Sequence, residues 1–121
     1  TDARGNVKTF SFPTDNRLDV TNGGHIIKYE FNNDRLITRI DFPEGNYVTY
    51  EYYPAIGSNK HPAGNLHFIR QFPGPGGGDV LETEYDYQSW CNQVNYIKDP
   101  KGNETFIDHD NNGNIDKIHL P

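Results

Sequence analysis

The 121 residues carry a formal net charge of -6 and only 33% hydrophobic residues, yet 13% are aromatic, with 8 Tyr and 7 Phe. That aromatic content is unlike a disordered chain and predicts a folded one whose core is thin and aromatic. The 11 Lys and Arg are scattered, which excludes the basic footprint of a nucleic-acid or anionic-lipid binder, and no apolar run approaches the ~20 residues of a membrane helix.

No charged-then-apolar leader is visible in the segment, and it contains no methionine. It opens on Thr1-Asp2, partway into a repeat, and is therefore read as a piece of a longer chain. Cys91 has no partner with which to form an internal disulfide.

The elements predicted in chain order follow one repeating pattern, glycine followed by two aromatics on one strand face. Gly5 precedes Phe10 and Phe12; Gly24 precedes Tyr29 and Phe31; Gly45 precedes Tyr50 and Tyr52, always at offsets of 5 and 7. A fourth unit carries Tyr85 and Tyr87 without the glycine. A fifth starts at Gly102, where the same offsets reach Ile107 and His109. Turns are expected where Gly-Asn follows a polar or Pro-containing lead: Asp2 to Asn6, Phe42 to Asn46 and Asp99 to Asn103, with a further turn at Gly113. Between turns the alternation is strand-like: His25, Ile27, Tyr29 and Phe31 share one face, and Ile26, Lys28, Glu30 and Asn32 the other.

A second marker is an aliphatic pair three apart: Ile37 with Ile40, Leu66 with Ile69, Val94 with Ile97, and Ile115 with Ile118. A helical turn is a poor reading for such short segments between turns, so a β-bulge or strong twist in each returning strand is expected. The marker aromatics are read as the core of stacked repeats rather than as a binding stripe. The pattern lapses between Tyr52 and Tyr85, where two Gly- and Pro-rich stretches, 53–64 and 73–79, are expected as loop insertions. Specialised function would sit in these loops, although the Gly-rich one lacks the arrangement of a phosphate-cradling P-loop.

Rival chemistry is limited. Asp108, Asp110, Asn112 and Asn114 sit at alternate positions around Gly113 as in the first part of an EF-hand calcium loop, which makes a weak calcium site an alternative expectation. Against it, His119 stands where the bidentate Glu belongs, and Pro100 and Gly102 occupy the place of the entering helix. His25, His61, His67, His109 and His119 show no metal-ligand spacing; Cys91 beside Trp90 reads as an inert thiol, and Glu82 with Glu84 as a solvated strand face. No catalytic residue and no cofactor are expected.

Taken together, the G-N-x-x-x-Y-x-Y spacing, the aliphatic pairs and the run Ile97-Lys98-Asp99-Pro100-Lys101-Gly102-Asn103 leading to Asn112-Gly113-Asn114-Ile115 resemble the YD or RHS repeat. That family is found in polymorphic toxins, toxin-complex components, bacterial wall-associated proteins and teneurins. The resemblance implies an all-β fold, a curved strip of about five antiparallel hairpin units over 1–121 that forms part of a larger shell. It further implies a secreted or cell-surface, bacterial location. The expected partners are the remainder of the same shell and an enclosed cargo domain. An extracellular recognition module, using Tyr47, Tyr53, Trp90 and the two loops on a glycan or protein, is the alternative. Two features depart from the family pattern: Pro13 and Tyr53 replace the Asp of the YD pair, and the turn at Asn33 to Leu36 lacks glycine. The D-P-x-G-L run of the self-cleaving toxin branch is also absent, since Asn103 follows Gly102.

Overall fold

The computed structural model describes residues 7–54 and 64–121. The turn expected at Gly5, His61 and most of the first loop insertion lie outside the described residues. Ten strands follow one another: β1 (Lys8–Thr14), β2 (Arg17–Asn22), β3 (His25–Phe31), β4 (Ile37–Asp41), β5 (Tyr47–Tyr52), β6 (Leu66–Phe72), β7 (Leu81–Gln88), β8 (Gln93–Lys98), β9 (Glu104–His109) and β10 (Ile115–His119). They form an open antiparallel sheet in sequence order, with no helix among the described residues. The chain divides into two compact units, Thr1–Thr49 with Gln71–Val80, and Tyr50–Arg70 with Leu81–Pro121.

Every odd-to-even hairpin whose register is described carries an irregularity, and no described even-to-odd pair does. In β3–β4 the partners run Glu30 to Arg39 and then Phe31 to Ile37, leaving Thr38 as an extra residue. Asn95 in β8 and Asp116 in β10 are extra in the same way. By contrast β2–β3, β4–β5 and β8–β9 pair without a break. The bulge explains three of the four aliphatic pairs. One additional residue restores the face that a spacing of three would otherwise switch, so Ile40 sits opposite Tyr29 and Ile37 opposite Phe31. Val94 and Ile97 meet Tyr87 and Tyr85, and Ile115 and Ile118 meet His109 and Ile107, by the same device. In β1–β2 the irregularity falls between Ser11 and Thr14 and contains Pro13, whose missing N–H is tolerated at a bulge on an edge strand.

Four of the turns share one five-residue design: Asn32–Leu36, Phe42–Asn46, Asp99–Asn103 and Asp110–Asn114. In each, the first N–H donates to the fifth carbonyl and the fourth N–H donates back to the first carbonyl, at 2.9–3.0 Å. The fourth residue is left-handed in all of them, at φ 64° for Arg35, 89° for Gly45, 87° for Gly102 and 83° for Gly113. Arg35 therefore stands in the backbone slot that glycine fills elsewhere. What fixes that turn in its place is Asn32, whose Oδ1 accepts from the N–H groups of Asp34 and Leu36 at 3.0 Å. An Arg35→Gly chain is expected to be more stable by about 0.5 kcal/mol, the left-handed strain of arginine (~1–2 kcal/mol) less the larger chain entropy of glycine (~0.5–1 kcal/mol); thermal unfolding reads it.

The Gly-rich segment 73–78 docks on the β4–β5 turn. A Cβ on Gly74 would lie 3.1 Å from the Glu44 carbonyl oxygen, and one on Gly45 would lie 2.9 Å from Cδ of Pro75. The two backbones approach this closely because neither glycine carries a side chain.

Among the described residues Gly113 alone is buried, and no apolar side chain is. On the face that carries the marker aromatics no described side chain is buried. Phe10 and Phe12 are 63% and 73% exposed.

Candidate interaction surface

The register divides each unit into an apolar and a charged face. In the first unit Phe10, Val20, Ile27 and, one row on, Leu18, Tyr29, Ile40 and Val48 are joined by direct cross-strand pairing, with Phe31 opposite Ile37 beyond them. The reverse face of the same strands is a lattice of alternating charge. Arg17, Glu30 and Arg39 form one row across β2, β3 and β4, and Asp19, Lys28 and Asp41 the next. Opposite charges thus meet along each of β2, β3 and β4 and across both pairs between them, the arrangement that favours this register over a slipped one.

Within that lattice Arg17 donates to both carboxylate oxygens of Asp19, at 2.8 and 3.0 Å, and Arg39 to both of Asp41, at 2.9 and 2.7 Å. Planar forks of this type fix direction. The Asp41 carboxyl is held below its ordinary range chiefly by its hydrogen bonds from Arg39, against an opposing effect of burial. The Arg39 guanidinium also lies 3.8 Å from the centre of the Tyr47 ring, which on its own part stacks on Phe72 at 4.5 Å and 11°. Tyr47, a candidate for outward recognition, is therefore engaged within its unit. A concavity of about 630 Å³ lies over this charged floor, lined among others by Arg17, Lys28, Glu30, Arg39, Phe42 and Pro43. A smaller one of about 310 Å³ is lined by Phe12, Asp15, Arg17, Phe31 and Arg35.

The second unit repeats the division. Tyr85, Ile97 and Thr105 pair across β7, β8 and β9 on one face, while Glu84, Lys98 and Glu104 make a further row of alternating charge on the other. Arg70 bridges Glu51 at 2.8 Å and Glu82 at 2.6 Å, and covers the Phe68 ring at 4.3 Å. Glu82, read from sequence as solvation, thus belongs to an ion-pair network. Tyr53 stacks on His67 at 4.1 Å, meets Tyr87 edge-on and donates its hydroxyl to the Tyr85 carbonyl at 3.1 Å. Burial first, and the Asp86 and Glu84 carboxylates next, push its phenol up to about 12. Of the three aromatics considered for recognition, Trp90 remains outward, 52% exposed in the β7–β8 turn.

The residues of the alternative calcium loop also take part in turn and strand contacts. Asp110 closes its turn: its Oδ1 accepts from the N–H groups of Asn112 and Asn114, both at 2.9 Å. The Asn114 hydrogen bond is the leading cause of the lowered carboxyl pKa. Asp108 lies in β9 and meets His119 Nε2 at 2.8 Å. Asp99 performs the equivalent closure, accepting from Lys101 and Asn103. Among the described residues no group of three or more His, Cys, Asp or Glu is placed to hold a metal ion. If Asp110 acts as a turn acceptor, Asp110→Asn retains most of the thermal midpoint and Asp110→Ala lowers it by several degrees, with neither response altered by added calcium. Calorimetry with and without the ion reads this.

No family model matches the chain, and no curated protein matches it.

The charged lattice was not anticipated from sequence. Its signal was present as Arg17-x-Asp19, Lys28-x-Glu30 and Arg39-x-Asp41, one opposite-charge pair per strand, but the pairs become a lattice only when the register sets them side by side.

Proposed function

We propose that this chain is a non-catalytic structural segment of a larger β-shell of the YD or RHS type, in a secreted or surface-displayed bacterial protein, enclosing a toxin or other cargo. One observation carries the reading: hairpin after hairpin builds a sheet with an apolar face on which no described side chain is fully buried. A sheet with one apolar face reaches a stable arrangement by covering it with another layer, and an exposed apolar surface of this kind marks an interaction site. In a shell that cover comes from the enclosed contents and from neighbouring turns of the strip. The charged lattice suits the opposite, solvated face, and no cofactor has a role in this scheme. Limited proteolysis of the natural parent tests the proposal. Cargo that stays protected until the repeat region itself is cleaved supports it, and cargo digested while the repeats remain intact overturns it.

The exposed Trp90 and the concavity over Lys28 and Glu30 favour a second reading, an extracellular module for a glycan or a protein surface. Saturable quenching of Trp90 fluorescence by a candidate glycan, abolished in Trp90→Ala, would select it over the shell.

A further inference from the structure

Arginine is the least suited of the four residues that hold the fourth position of the five-residue turns. Gly45, Gly102 and Gly113 adopt the left-handed conformation without a side chain, whereas Arg35 adopts it at φ 64°. A strained dihedral of this kind persists where its side chain is needed, and such residues gather at ligand sites. Among the described residues, however, the Arg35 guanidinium has no hydrogen bond or ion pair, so the fold itself makes no use of the charge.

The β1–β2 and β3–β4 turns lie side by side at one end of the sheet, tied by the hydrogen bond that the Phe31 N–H donates to the Asn16 carbonyl at 2.8 Å. There the concavity of about 310 Å³ is lined by Phe12, Asp15, Arg17, Phe31 and Arg35. Its two aromatic rings supply an apolar wall. Arg17 is committed to both carboxylate oxygens of Asp19. That leaves one cation, Arg35, and one anion, Asp15, whose side chains have no partner among the described residues. We propose that this concavity binds a free α-amino acid with an apolar side chain.

An α-amino acid carries a carboxylate, an ammonium and a side chain on one carbon, and the lining holds a counterpart for each. The Arg35 guanidinium offers a planar fork of N–H donors to the carboxylate, and the Asp15 carboxylate accepts from the ammonium. The Phe12 and Phe31 rings take the side chain, an aromatic one best. The volume lies at the low end of ligand clefts, roughly 300–1,000 Å³, which suits one amino acid and not a folded partner. A peptide end carries only one of the two charges and satisfies half of the site. Glycine at position 35 would relax the turn and remove the carboxylate's donor, so stability and binding move in opposite directions there. The site does not depend on what covers the rest of the apolar face.

Isothermal titration of the full 121-residue chain with L-phenylalanine tests the proposal, with thermal unfolding run on every variant. Saturable binding is expected, weaker by at least about tenfold for N-acetyl-phenylalanine and for phenylalanine amide, since each leaves one charged group of the site unmet. Arg35→Gly should lose binding by a similar factor while its thermal midpoint rises, which separates loss of the donor from loss of the fold. Asp15→Asn should weaken binding of phenylalanine and leave that of N-acetyl-phenylalanine unchanged. No saturable binding at millimolar phenylalanine would overturn the proposal, as would either capped form binding as tightly as phenylalanine, or an unchanged affinity in Arg35→Gly.

Discussion

Gly45→Ala is expected to destabilise the first unit by about 2 kcal/mol, from left-handed strain of about 1–2 kcal/mol and a steric conflict of comparable size, less the ~0.5–1 kcal/mol of chain entropy that alanine saves. The backbone at Gly45 sits at φ 89°, in the fourth position of the β4–β5 turn. Its new Cβ would also meet Cδ of Pro75 at 2.9 Å, and Pro75 is held in a docked loop whose Gly74 rests on the carbonyl of Glu44. The two costs separate experimentally. Pro75→Ala in the Gly45→Ala background removes the conflict but leaves the dihedral strain, so denaturant unfolding should show recovery of part of the loss. Gly102→Ala, with the same sign of φ but nothing within 4 Å of the added Cβ, supplies the strain alone. Equal losses at Gly45 and Gly102 would mean that the loop does not press on the turn.

Acid sensitivity is the second large effect. Asp41, Asp99 and Asp110 all have carboxyl pKa values lowered in the folded chain, Asp41 by the Arg39 fork and the other two mainly by the turn hydrogen bonds of Asn103 and Asn114. A group whose pKa is lower folded than unfolded contributes stability above the unfolded value, about 3.9 for Asp, and loses it as pH falls through the folded value. Stability should therefore be level near neutrality and decline from about pH 5 downward, as the unfolded chain takes up protons that the folded one resists. Replacing Asp99 and Asp110 together by Asn keeps an acceptor oxygen in both turns while removing their titration. The decline should then be shallower, without a large loss at neutral pH. An unchanged acid profile in that variant would show that the turn carboxylates do not carry the effect.

Much of the fold is written in local chemistry. Alternation in His25–Phe31, the Gly-Asn turns and the aliphatic pairs each report on a few consecutive residues, and each corresponds to a strand, a left-handed turn position or a bulge. What stayed hidden depends on residues far apart in sequence. Tyr47 looked free because its covers, Arg39 and Phe72, arrive from other strands. The Gly74 to Glu44 approach spans some thirty residues and leaves no local trace. Arg35 hid its left-handed conformation behind the wrong side chain, and the Asn32 closure that supports it became apparent only as geometry. Asp110 was ambiguous for another reason: alternate oxygen-bearing residues around a glycine suit a calcium loop and an Asx-closed turn alike, and the turn closure shows only once the backbone is in place.

In the natural parent the apolar face of this sheet is expected to be covered by something other than the chain itself. Carbene footprinting of the isolated chain and of the intact parent, read at Phe10, Tyr29, Tyr50, Tyr85 and Ile107 against Lys28 and Lys98 on the charged face, measures it directly. Both faces should label in the isolated chain, and the aromatic face alone should lose its labelling in the parent. Equal labelling of that face in both would contradict it.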